Sequence, residues 1–160
     1  MKTTVKNYHL WQMAKSSHLS TDNFINELLE KACDQLKREG KIDSLFWIVS
    51  EDDSLYSFPS EISDDPMEKL RQSIELKALA RRYKAKEVFR IADSFVSPLD
   101  GSRPSLHLHR REAIMLYHED SEGNSVTIQE YTRLNRNRIK FGKKKVITNV
   151  EGIFSGFLSD

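Results

Sequence analysis

A single cysteine, Cys33, occurs in 160 residues, so the chain closes no internal disulfide and its core must be held by packing. The lone thiol suits a reducing compartment. It falls beside Leu29 and Leu36 in a helical pattern, where a small buried apolar role fits it better than a nucleophile's. Proline (4) and glycine (6) are too sparse for a collagen-like or low-complexity chain. Long apolar runs are missing as well: Leu45–Val49 is among the longest, far short of the roughly 18 residues of a membrane span. Lys2 and Lys6 lead into Tyr8, Leu10, Trp11 and Met13, but polar residues break that stretch before a signal-peptide core can form. The expectation is a cytoplasmic protein with no membrane partner. Also absent are a Ser/His/Asp elbow, a Cys/His pair at a recognisable spacing and a glycine-rich phosphate loop. The sequence therefore names no reaction and no cofactor, and leans away from an enzyme.

What is present is an ordinary globular balance, 31% charged and 38% hydrophobic, at a length typical of one domain. A single domain over 1–160 is expected, with 1–18 as a lead-in. Ser20 or Thr21 caps a helix over about 20–39, in which Phe24, Leu28, Ala32 and Leu36 recur every four residues beside Ile25, Leu29 and Cys33. Residues 44–50 and 55–58 read as a hairpin with an acidic turn, ended by Pro59. Asp65, Pro66 and Glu68 give cap, first-turn proline and capping-box acid for a helix over about 66–83, with Met67, Leu70, Ile74 and Ala78 at helical spacing. A strand follows over 88–96, then a Pro/Gly-bearing loop over 97–106.

Residues 112–119 and 125–134 read as a second hairpin. Placing Leu116 opposite Ile128 through a five-residue loop keeps Ile114, Leu116, Val126 and Ile128 on one face, leaving Met115, Tyr117 and Tyr131 on the other. Val146 and Ile147 suggest a short strand, and Val150, Ile153, Phe154, Phe157 and Leu158 a short C-terminal helix. The fold class expected is α+β: a two-layer, largely antiparallel sheet of about five strands, two main helices on one face, and that short terminal helix.

Four features carry potential chemistry. His107 and His109 alternate in an extended stretch and could offer two imidazoles to a metal, with Asp93, Glu112 or His118 as possible third donors. Two solvated histidines are the plainer reading. Arg103, Arg110 and Arg111 surround them, and with His107 and His109 could hold a phosphate or carboxylate; a charged rim is the alternative. The segment 133–145 carries Arg133, Arg136, Arg138, Lys140, Lys143, Lys144 and Lys145, no acid, and one aromatic, Phe141. Nucleic acid is the obvious partner for such a strip, but an edge strand guarded by lysines predicts the same residues and is preferred. Asp93 alternates with Phe89, Ile91 and Phe95, where an ionised carboxylate is costly. It could be a perturbed acid or base, but the preferred expectation is that the strand ends or bulges near Ser94 and returns Asp93 to water or to an arginine.

Arg103, Pro104 and Ser105, followed by Arg110–Ala113, resemble an R-P-S loop and R-R-E-A strand shared by a group of small uncharacterised bacterial proteins. The resemblance implies a bacterial cytoplasmic protein and brings no activity with it. On the residues alone, the leading expectation is a non-enzymatic module binding an anionic ligand or protein partner, with a homo-oligomer as one way to cover exposed aromatics. The alternatives are a small metal-assisted enzyme centred on His107 and His109 and a weak nucleic-acid binder through 133–145.

Overall fold

The computed structural model describes residues 21–96, 111–135, 138–152 and 154–158. Helix α1 (Thr21–Glu39) forms on the four-residue repeat: Phe24, Ile25, Leu28, Leu29, Ala32 and Leu36 are all buried. Burying a side chain of Leu or Phe size contributes about 1.5–3 kcal/mol, so this stripe anchors the helix more firmly than its propensity does. Lys37 and Arg38 occupy its last turn, and Gly40, at φ 77°, supplies the left-handed exit while its N–H donates to Leu36 O at 2.8 Å.

Strands β1 (Leu45–Ser50) and β2 (Leu55–Pro59) form the first hairpin as expected. In its turn Asp52 Oδ1 accepts from the Ser54 N–H at 3.1 Å and from the Ser50 hydroxyl. Helix α2 (Pro66–Arg82) begins where its three start signals place it, with Asp65 Oδ2 accepting from the Glu68 N–H at 3.0 Å. The reciprocal half of the capping box is not made. The Asp65 N–H turns to Ser63 Oγ, and the Glu68 carboxylate takes Arg71 instead, which holds it below the usual glutamate range.

Then come β3 (Ala85–Val96), β4 (Arg111–Asp120), β5 (Gly123–Arg133) and β6 (Ile139–Thr148). Among the described residues these four and the first hairpin make one six-stranded sheet in the order β2-β1-β3-β4-β5-β6, every neighbouring pair antiparallel. The α+β expectation holds, but the count of five strands fell one short. The lysine-rich stretch before Val146 and Ile147 is itself paired strand, because an edge position needs no apolar alternation.

Both faces of this sheet are covered, which corrects the two-layer arrangement with helices on one side. On one face α1 packs over Trp47, Val49, Phe89, Ile91, Ile114 and Leu116. On the other, Leu76 and Ala80 of α2 meet Phe46, Ile48, Phe58, Val88 and Tyr117. Adjacent residues of a strand point to opposite faces, so these are separate cores sharing one sheet. Helix α2 also turns a different side inward than its spacing suggested. Ser73, Leu76 and Ala80 are buried, whereas Met67, Leu70 and Ile74 are 75%, 44% and 57% exposed. Small side chains at 73 and 80 let the helix lie close to the strands, which the bulkier stripe would not allow.

The β4–β5 register differs accordingly. Asp120 pairs with Gly123 across a turn of two residues, Ser121 and Glu122, so Leu116 faces Thr127 and Met115 faces Ile128. Ile114 and Leu116 thus point to the α1 side, while Val126 belongs with Tyr117 on the α2 side. Keeping those four apolar residues on one face presupposes a wet face opposite, and this hairpin has none for most of its length. Tyr117 and Tyr131 are buried, at 7% and 3% exposed, rather than awaiting a partner.

No helix forms over the described part of 150–158. Glu119 Oε1 accepts from the Gly156 and Phe157 N–H groups at 3.0 Å each, and Oε2 from Leu158 N–H at 2.8 Å. Successive N–H groups that a helix would have used internally instead cradle a buried carboxylate, with Gly156 at φ 74° making the bend. Phe157, 3% exposed, then packs on Phe46 and Tyr117 and closes the second core.

Candidate functional site

The sheet presents its polar chemistry around β4, β5 and β6. Arg111, at the start of β4, is within 2.9 Å of Glu130 Oε1. Arg133, at the end of β5, donates from Nε to both Glu112 oxygens, at 3.2 and 3.0 Å, and from Nη1 to Gly40 O at 2.9 Å. Together these residues line a concavity of about 440 Å³. It is electrically balanced: each of its two arginines already has a glutamate. An incoming anion would have to displace the glutamate already beside each arginine, so Arg111 and Arg133 make poor anion receptors.

Asp93 stands beside this concavity. Strand β3 neither ends nor bulges near Ser94, contrary to expectation, but runs paired to Val96. The carboxylate is met by a tyrosine: Tyr131 Oη donates to Asp93 Oδ1 at 2.6 Å. Although the residue reaches the surface, desolvation pushes its carboxyl above the ordinary aspartate value, with Glu112 adding to the rise and the Tyr131 bond and Arg133 opposing it. Desolvation likewise raises the Tyr131 phenol, with the Asp93 bond second. On Arg133 desolvation works downward, but the Glu112 hydrogen bonds and neighbouring charges prevail and its guanidinium is held up.

Strand β6 is different. It is an edge strand, exposed along nearly its whole length. Gly142 and Lys143 together stand opposite Glu130 in a bulge, and Gln129 Nε2 donates to Gly142 O and Glu130 O at 3.0 Å each. Lys144 Nζ donates to Asn26 Oδ1 at 3.0 Å. Among the described residues no carboxylate pairs with Lys140, Lys143 or Lys145. Phe141, the strip's one aromatic, is turned inward against the first core, with Lys37 Nζ 5.9 Å from its ring centroid. Val146 and Ile147 extend the strip, 59% and 44% exposed.

Comparisons with protein-family models, curated proteins and solved structures find no match. What the surface can do therefore rests on its own chemistry. Of the residues singled out in the sequence, Arg103, His107, His109 and Arg110, and with them the loop over 97–106, lie outside the described residues, as does Arg136. Arg138 caps a local turn, its Nε 3.5 Å from Asn135 O. Cys33 is half-buried against the first core, and burial pushes its thiol up, away from a nucleophile's range. Sequence reasoning missed the buried acids Glu87 and Glu119. Glu87 meets His118 across β3 and β4, and the period-two spacing of His118 and Asp120 was the one signal that could have drawn attention to it. No helix among the described residues is long and apolar enough to cross a membrane.

Proposed function

We propose that this protein is a non-enzymatic interaction module whose β6 edge docks an acidic segment of a protein partner. The observation that carries this reading is the set of three lysines, Lys140, Lys143 and Lys145, with no acidic partner among the described residues on an edge strand, while the nearby arginines are already neutralised. Cations with no carboxylate partner among the described residues attract an anionic partner without first losing a pair to one of those residues.

Two features favour a protein over nucleic acid. Phe141 packs inward and gives no stacking platform for bases, and the exposed Val146 and Ile147 beside the lysines match a partner that mixes acids with aliphatic side chains. The bulge at Gly142 and Lys143 interrupts the ladder edge, so recognition is assigned to side chains rather than to strand addition over those residues.

The test is fluorescence anisotropy of a labelled glutamate-rich peptide and of a single-stranded oligonucleotide of equal charge, at about 50 and 200 mM salt. Wild-type protein should bind the peptide, more weakly at the higher salt, and the triple variant Lys140→Glu, Lys143→Glu, Lys145→Glu should lose about tenfold or more in affinity with an unchanged melting temperature. Peptide binding that survives the triple substitution, or no peptide binding by the wild type, overturns the reading. Binding of the oligonucleotide alone would put nucleic acid in its place.

A further inference from the structure

At the opposite end of β4 from the concavity, three potential ligands converge on the α1 side of the sheet. Phe89 pairs with His118 and Val88 with Glu119, so Glu87, one step further along β3, comes level with the end of β4. His118 and Asp120 are alternate residues of β4 and share a face. His118 Nε2 lies 2.8 Å from Glu87 Oε1 and 3.8 Å from Asp120 Oδ2, and all three donor atoms fall within 4.8 Å of one another.

We propose that Glu87, His118 and Asp120 bind one divalent transition-metal ion, zinc in the first place. Asp120 Oδ1 accepts from the Glu122 N–H at 2.9 Å in the turn, and this leaves its Oδ2 facing the same ring nitrogen that Glu87 meets. Two carboxylates this close repel each other unless positive charge lies between them. Imidazole with two carboxylates is a donor set that suits zinc or manganese better than calcium or magnesium, which prefer oxygen alone.

The surroundings fit. The Thr21 hydroxyl donates to Glu87 Oε1 at 2.7 Å, and the Phe89 ring lies 4.9 Å from the His118 ring, so both inner ligands are held in place. Glu87 and His118 are buried, whereas the Asp120 side chain is one-third exposed, so the third ligand closes from the solvent side. Zinc holds such donors at about 2.0–2.2 Å in a tetrahedron, which sets neighbouring donors about 3.3 Å apart. Opening the His118–Glu87 contact by about half an ångström and swinging Asp120 inward meets that geometry. Helix α1 starts here, and the positive end of its dipole, worth about half a charge, opposes a cation; two carboxylates outweigh it. Three protein ligands leave a coordination position for water.

Isothermal titration of zinc into the full chain, freed of affinity tag and pre-treated with chelator, reads the site directly, and the visible absorption of added cobalt(II) reports its ligand number. Wild-type protein should bind one zinc with four- or five-coordinate cobalt spectra. Asp120→Asn should weaken binding about tenfold or more, and His118→Gln should abolish it. The double variant His107→Gln, His109→Gln should bind as wild type. Asp120 sits at a partly exposed strand end, so its variant keeps the test decisive if His118→Gln fails to fold. No stoichiometric zinc binding, binding unchanged in Asp120→Asn, or binding lost with His107 and His109 overturns the proposal.

Discussion

Asp93 shows how far a single residue can be read from sequence. Alternation with Phe89 and Ile91 flagged a carboxylate on an apolar face, and that placement is correct. The side chain does reach the surface, but without a strand end or bulge, and the phenol that meets it, Tyr131, lies 38 residues away on β5, where cross-strand partners depend on register. A carboxyl whose value is raised on folding holds its proton more tightly in the folded chain. Its contribution is complete below the ordinary aspartate value of about 3.9 and is lost as pH rises through the raised value. Asp93→Asn keeps an acceptor for Tyr131 and removes the ionisation. The decline of stability across that mildly acidic window should flatten, and at pH 7 the variant should equal or exceed wild type to within about 0.5 kcal/mol. Urea denaturation at both ends of the window checks this, and a loss above about 1 kcal/mol at pH 7 would show that the ionised form is the one the fold favours.

Elements were legible wherever local stereochemistry decides them. Helix α1, the first hairpin and the start of α2 lie where caps, periodicity and proline put them. What sequence missed was decided by partners: β6 is a strand because β5 offers a ladder, and the stretch after it is not a helix because Glu119 claims its N–H groups. Helix α2 carries two apolar stripes at helical spacing, and periodicity cannot say which one faces the sheet. The buried Leu76 and the exposed Ile74 give a direct measurement. Leu76→Ala should cost about 2–5 kcal/mol by the cavity it opens, whereas Ile74→Gln should stay within about 0.5 kcal/mol. Comparable losses in chemical denaturation would mean that the outer stripe is covered too. The candidate sites followed the same logic: the lysines of 140–145 could be seen as one strip, but Glu87 and His118 are 31 residues apart and meet only through the β3–β4 register.

At the scale of the molecule, two cores share β1, β3 and β4, with Trp47, Phe89 and Leu116 facing α1, and Phe46, Val88 and Tyr117 facing the α2 side. Cores that share strands should melt together. Phe46→Ala and Leu116→Ala, one from each side, should each cost several kcal/mol, about 2–5, and shift one and the same transition. Tryptophan fluorescence and far-ultraviolet circular dichroism should give coincident curves for both variants, and separate midpoints would mean that the two sides unfold independently. Cover on both sides has a price for assembly. Sliding β5 along β4 by one position would leave most oily groups dry, so greasiness alone cannot choose between neighbouring alignments. That choice falls to the corner at residues 120–123, where Asp120 Oδ1 takes the Glu122 N–H at 2.9 Å and Gly123 adopts φ 141°, a backbone angle that a side chain would resist. Four residues at a bend thus act as the alignment mark for half of the sheet.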